Sequence, residues 1–270
     1  MDKKIAFIGA GSMAEAIISG MVRAEIVDNN HISVTNRSNQ ERISRLEKRY
    51  QINSVMDKEK ITTDTDIIIL ATKPYDIEQA IDSIKDYITA NQLIISVTAG
   101  ISTTAIKQFI GINVPVIRAM PNTSASIGES ATAISAGKGV SKDHVQEAVT
   151  LFNTIGTTVV VDEEDMHMVT AISGSGPAYI YYLVEAMEKA AVDSGLHKDT
   201  AKALIAQTIL GAGEMLSQSE DTADVLRKKI TSPAGTTQAG LESLKKNGFQ
   251  QIIIECVQAA RDRSIALGKE

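Results

Sequence analysis

A chain of 270 residues with 27 basic and 33 acidic side chains, net −6, is long enough for one large domain or two and has no broad cationic surface for a polyanion. Its 43% hydrophobic content is that of a globular protein with a real core, while 4% aromatics and no tryptophan argue against a base-stacking platform for single-stranded nucleic acid. One cysteine, Cys256, cannot close an intramolecular disulfide, and no uninterrupted apolar run approaches the ~18–20 residues that cross a bilayer. A cytoplasmic protein with neither nucleic acid nor membrane as partner is expected.

In chain order, KKIAFIG (3–9) reads as a short apolar strand ending in glycine, and 12–24 places apolar residues at helical spacing. A strand at 31–36, an amphipathic helix at 39–50, a buried strand at 66–71 and a helix at 75–88 follow. The alternation continues through a strand at 93–98, a helix near 102–110, strands at 114–118 and 130–135, a helix at 141–155 and a strand at 157–161. Strand and helix in alternation imply a parallel sheet covered on both faces. From 163 the pattern is helical, with breaks at SGSGP (173–177), SGL, SQSED, SPAG and NG, and no strand is expected before the apolar run at the very end. Charge shifts at the same place: residues 1–161 carry 16 basic and 17 acidic groups, residues 162–270 carry 11 and 16. Two domains are therefore expected, 1–162 and 163–270. The helix opened by Pro177 is apolar on nearly every side of its first turns, and 200–216 is apolar over a wide arc around Gly211, Ala212 and Gly213. More sticky surface than a small bundle can hide predicts a subunit interface there.

Residues 9–14, G-A-G-S-M-A, have the G-x-G-x-x-A form of a dinucleotide fingerprint, placed between a strand and a helix as its mechanism requires. Gly9 permits the sharp turn, Gly11 lets a pyrophosphate approach the backbone, Ala14 lets helix and strand pack closely, and the helix presents free N–H groups to the anion. The second strand ends in Asn36-Arg37-Ser38, where an NAD site usually has a carboxylate for the ribose. An arginine between neutral hydrogen-bonding residues suits a 2′-phosphate instead. Ala71-Thr72-Lys73-Pro74 leaves a later strand at the carboxyl edge, and Lys73 reads equally as a base, a cofactor contact or a turn residue. Small residues at Val97–Gly100 and Arg118–Asn122 end strands on that edge and leave room for a nicotinamide ring.

His31, His144, His167 and His197 are scattered without a second ligand at metal spacing, so no metal site is expected. Cys256, in the run IIIECV, reads as a small core residue, and His167 as a helix-surface histidine more than a general acid. In the second half the hydroxyl-rich turn Ser232-Pro233-Ala234-Gly235-Thr236-Thr237 opens a helix. It serves equally as a carboxylate cradle or a plain N-capping turn.

Together, IGAGSMAEAI, ATKP, SVTAGIS, RAMPNT, SGSGPAY and SPAGTT resemble, in order and spacing, the pyrroline-5-carboxylate reductase family along essentially the whole chain. The resemblance implies an α/β protein: an N-terminal Rossmann-type doubly wound sheet, then an all-helical C-terminal domain that forms a homodimer or larger homo-oligomer. It implies reduction of 1-pyrroline-5-carboxylate to L-proline, with NADPH preferred as hydride donor and NADH also admitted. Carried over by position, it assigns Ile8, Gly9, Ala10, Gly11, Ser12 and Met13 to the phosphate loop. Asn36, Arg37 and Ser38 take the adenosine end, and Ala71, Thr72, Lys73 and Pro74 a cofactor-contacting turn. Ser232, Gly235, Thr236 and Thr237 hold the substrate carboxylate, with Thr237 beside the ring nitrogen.

Two positions depart from the family. Ala234 replaces a glycine, where the methyl tightens the pocket or does nothing according to the sign of φ. Asp57, in Asp57-Lys58-Glu59, replaces a common asparagine and sets a carboxylate near the adenosine. Two other readings remain: a related imine or β-hydroxyacid reductase, disfavoured because the stretch 165–190 holds only Lys189, and an NADP(H)-binding regulator without catalysis, disfavoured by the SPAGTT turn.

Overall fold

The structure, a computed structural model, describes residues 1–268. By their contacts these form two compact units, one of Met1–Ser175 together with the chain from Ala259 onward, the other Gly176–Gln258.

Short runs, most of them rich in Ile and Val, build the first unit's sheet: β1 (Ile5–Ile8), β2 (Ile32–Thr35), β3 (Asn53–Ser54), β4 (Ile67–Leu70), β5 (Leu93–Ser96), β6 (Val116–Met120), β7 (Ser130–Ala136) and β8 (Gly156–Val160). Their spatial order is β3-β2-β1-β4-β5-β6-β7-β8, parallel except for β6 against β7. Every residue of β1, β4, β5 and β6 is buried, as a sheet covered on both faces demands. One core packs Ile5, Phe7 and Ile69 against α1 (Ser12–Arg23), α2 (Gln40–Tyr50) and α6 (Lys142–Phe152). The other packs Ala6, Ile8 and Ile68 beside α3 (Lys58–Thr63), α4 (Ile77–Asp82) and α5 (Thr103–Ile110).

After β8 come α7 (Met166–Val169), a π-helical turn (Thr170–Gly174) and then α8 (Gly176–Asp193), α9 (Lys198–Gln218), α10 (Ala223–Lys229), α11 (Thr236–Lys246) and α12 (Phe249–Leu267). Two ties lie within the first unit, one at Glu163 and one between α7 and the end of α12. The carboxylate of Glu163 accepts from the Thr103 backbone N–H at 2.7 Å and its hydroxyl at 2.6 Å, and lies 3.4 Å from Nη1 of the buried Arg118. At the far end of the chain, Ser264 Oγ meets His167 Nδ1 at 3.0 Å.

Several expectations need correction. The apolar run at the end is no strand but part of the first half of α12, its consecutive isoleucines distributed around a helix. Cys256 is only partly buried there. The expected helix at 75–88 is three pieces, 3₁₀ turns at Pro74–Asp76 and Lys85–Tyr87 flanking α4. Nor is His167 a plain surface histidine, since Ser264 holds its ring.

Candidate functional site

β1 pairs with β2 on one side and β4 on the other, so the chain reverses its winding across β1 and opens a crevice at the carboxyl edge. Gly9 sits in it at φ +113°, its N–H donating to the Thr35 carbonyl at 2.9 Å. A Cβ there would stand 2.5 Å from the Ala71 carbonyl oxygen, so glycine is required twice, by dihedral and by space. Gly11 is different: its φ is −72°, and a Cβ would meet nothing within 4 Å. It is the N-cap of α1 and has no side chain to satisfy the helix's first N–H groups, which are left for an incoming anion. Ala14 is fully buried beneath the turn, as its packing role requires.

The turn is held from below by residues that the motif does not contain. Arg42 Nε donates to the Ala10 carbonyl at 3.0 Å, and Arg42 Nη2 meets Glu15 Oε2 at 2.5 Å. Arg49 and the Tyr50 hydroxyl both donate to the other Glu15 oxygen, at 3.1 and 3.2 Å. Their only trace in the sequence is the basic face of 39–50.

At the end of β2, Asn36 Nδ2 donates to the Asn39 carbonyl at 2.8 Å, while its buried Oδ1 lacks a partner. Arg37 is 73% exposed and lies over α4, 2.8 Å from Gln79 Oε1 and 3.5 Å from Asp76. Ser38 is exposed beside it. The Asp57 carboxylate caps α3 by accepting from the Lys60 N–H at 3.1 Å, and its neighbour Lys58 reaches Thr35, a residue the sequence did not single out. At the end of β4, the buried Thr72 hydroxyl has no partner and the exposed Lys73 starts a 3₁₀ turn at Pro74. An open glycine cradle and two orphaned polar atoms on one edge fit a dinucleotide. Among the described residues, no three His, Cys, Asp or Glu side chains converge as a metal site.

In the second unit, Gly235 N-caps α11 without a side chain, so the first N–H groups of that helix are uncapped as well. The Gly235 N–H donates to the Ser232 carbonyl at 3.1 Å, closing the turn, and Thr236 and Thr237 are the first helical residues. Ala234 adopts φ +55°, the sign at which a methyl is strained, and its N–H donates to Gln238 Oε1 at 2.8 Å.

A glycine turn at the switch point of a mainly parallel sheet, followed by a helical region, defines a nicotinamide-dinucleotide-dependent oxidoreductase. Residues 4–100 match the family model described as NADP oxidoreductase, coenzyme F420-dependent, and residues 163–267 match that of pyrroline-5-carboxylate reductase dimerisation. The chain is 49% identical to pyrroline-5-carboxylate reductase 2 of Bacillus subtilis, over 99% of its own length and 96% of the relative's, and 47% identical to pyrroline-5-carboxylate reductase 1 of that bacterium, over 100% and 91%. Among solved structures it superposes on the Coxiella burnetii pyrroline-5-carboxylate reductase with a TM-score of 0.93, at 34% identity and full coverage of both chains. The Plasmodium falciparum pyrroline carboxylate reductase with NADP bound gives 0.87, at 31% identity and 98% coverage of both. The chain belongs to the pyrroline-5-carboxylate reductase family.

Proposed function

We propose that this chain reduces 1-pyrroline-5-carboxylate to L-proline with NADPH, the last step of proline biosynthesis, and that the two uncapped helix starts divide the work. Residues 1–162 hold the dinucleotide, its pyrophosphate over Gly9–Met13, its adenosine end at Asn36–Ser38 and the Ala71–Pro74 turn beside it. Residues 163–270 hold the substrate and the partner subunit of a cytoplasmic homo-oligomer. Membrane and nucleic acid have no part in this reading; no helix among the described residues is long and apolar enough to cross a membrane.

The observation that carries the reading is Gly11, a side-chain-free N-cap with open space above it at the sheet's switch point. Bound NADPH supplies the hydride, which adds to the ring carbon of the C=N bond while the π pair settles on nitrogen. An iminium substrate already carries its proton, so the protein needs alignment and a hydrogen-bond partner for nitrogen more than a strong acid. The N–H groups opening α11 bind the substrate carboxylate and the Thr237 hydroxyl orients the ring nitrogen.

Purified protein should oxidise NADPH when given pyrroline-5-carboxylate, in preference to its six-membered homologue or a panel of keto acids. Thr237→Ala should lower turnover or raise KM for the imine, about 10-fold or more for a lost hydrogen bond to a charged group, with NADPH affinity near normal. Unchanged imine kinetics would remove Thr237 from the mechanism, and no turnover with any imine would remove the function.

A further inference from the structure

We infer that Lys58 selects the cofactor: its ammonium, set at the carboxyl end of β2, binds the 2′-phosphate that distinguishes NADPH from NADH. The inference rests on the proposed use of NADPH and names a reader that the glycine motif and Asn36–Ser38 do not include.

Position is the first argument. Lys58 Nζ donates to Thr35 Oγ1 at 2.8 Å and lies 3.4 Å from the Asn36 carbonyl oxygen. Thr35 is the last residue of β2, pairs with Ile8 across the sheet and accepts from the Gly9 N–H. The ammonium therefore stands one strand away from the glycine turn on the same edge, where a dinucleotide lying across the switch point puts its adenosine ribose.

Charge is the second. Both hydrogen-bond partners of Lys58 are neutral, and among the described residues no carboxylate forms an ion pair with it. The side chain is half-buried, and burial lowers its pKa from the ordinary lysine value. A cation that has lost water without gaining an anion is stabilised by an arriving phosphate dianion. The flanking acids leave this intact: Asp57 turns its carboxylate to the Lys60 N–H, and Glu59 is exposed. Arg37, the cation that the sequence favours, is engaged with Gln79 and Asp76 over α4 and must turn to contribute.

Hydrogen-bond chemistry separates the neighbours. The orphaned Asn36 Oδ1 needs a donor and suits a ribose hydroxyl. A 2′-phosphate only accepts at neutral pH, and Lys58 holds the donors for it.

The test measures dissociation constants of NADPH and NADH by fluorescence, and of 2′,5′-ADP and 5′-AMP by calorimetry, for wild type, Lys58→Met and Lys58→Arg. Lys58→Met should weaken NADPH and 2′,5′-ADP about 10- to 100-fold while leaving NADH and 5′-AMP within about 2-fold, and Lys58→Arg should keep most of the preference. Equal losses for all four ligands mean a structural lysine and overturn the inference. So does an unchanged ratio in Lys58→Met. A wild type that favours NADPH and turns over the imine while Lys58→Met keeps that preference overturns this inference alone. A wild type that binds no dinucleotide overturns the proposed function as well.

Discussion

Ala234 holds its methyl at φ +55°, a conformation that costs an L-residue other than glycine about 1–2 kcal/mol. The strain lies in the turn that opens α11. Ala234→Gly should relieve it, less what glycine loses in unfolded-state entropy, for a net gain of about 1 kcal/mol or less and a rise of about 1–2 °C in the unfolding midpoint. Scanning calorimetry decides the sign, and a lower midpoint would show that the methyl supplies packing instead. Residues of this kind divide sharply in what the sequence discloses. Gly9 and Gly11 are legible because their motif encodes a backbone geometry: Gly9 sits at φ +113°, and Gly11 leaves open space over the helix start. Arg42 and Lys58 are not, because nothing in their neighbours along the chain shows that the fold will bring them to Ala10 and Thr35. The sign of φ at Ala234 likewise emerges only with the turn.

Among the elements, α7 and α12 are linked by the His167 imidazole. His167 shares a hydrogen bond with Ser264, and its pKa is held below the free value by burial first, then by the Arg118 charge, with Glu163 pulling the other way. The folded state thus prefers the neutral ring. The stability this gives is complete above the unfolded pKa of about 6.5 and declines as pH falls below it towards the folded pKa. Wild type should lose stability between pH 7.5 and 5 in urea unfolding, and His167→Gln, which keeps a hydrogen-bonding side chain, should lose less. Parallel slopes for the two proteins would dismiss the link. Element boundaries follow the same logic of legibility. The apolar strands are plain because each is an unbroken buried run between turn residues, and α2 because its eleven residues carry a helical stripe. The two-residue β3 and six-residue α3 have too few positions to show a period, and α12 resembles a strand at 252–254 because consecutive isoleucines carry no helical stripe.

For the molecule as a whole, the second unit leaves a large apolar surface on the single chain, with Tyr181 60% and Tyr182 77% exposed on α8 and Leu210 and Ile254 exposed on other helices. A monomer rarely tolerates that much, and the match of 163–267 to a dimerisation model gives it an occupant, a second copy. Tyr182→Lys should shift the protein towards monomer in sedimentation at micromolar concentration; an unchanged mass would put the interface elsewhere. The sequence already carried this surface in the all-round apolarity of 177–193, whereas the partition of α12 between two units left no mark on its composition.

That partition reaches into the protein's synthesis. The first unit needs Ser264 beside His167, and Leu267 packs within 3.5 Å of where a Cβ on Gly100 would stand. Between Ser175 and Ala259 lie the 83 residues of the other unit. At roughly 5–20 residues per second a ribosome takes about 4–17 s to make them. Through that interval the nascent nucleotide-binding sheet is complete in its strands yet lacks its last wall, so it closes only after the helices between have been translated.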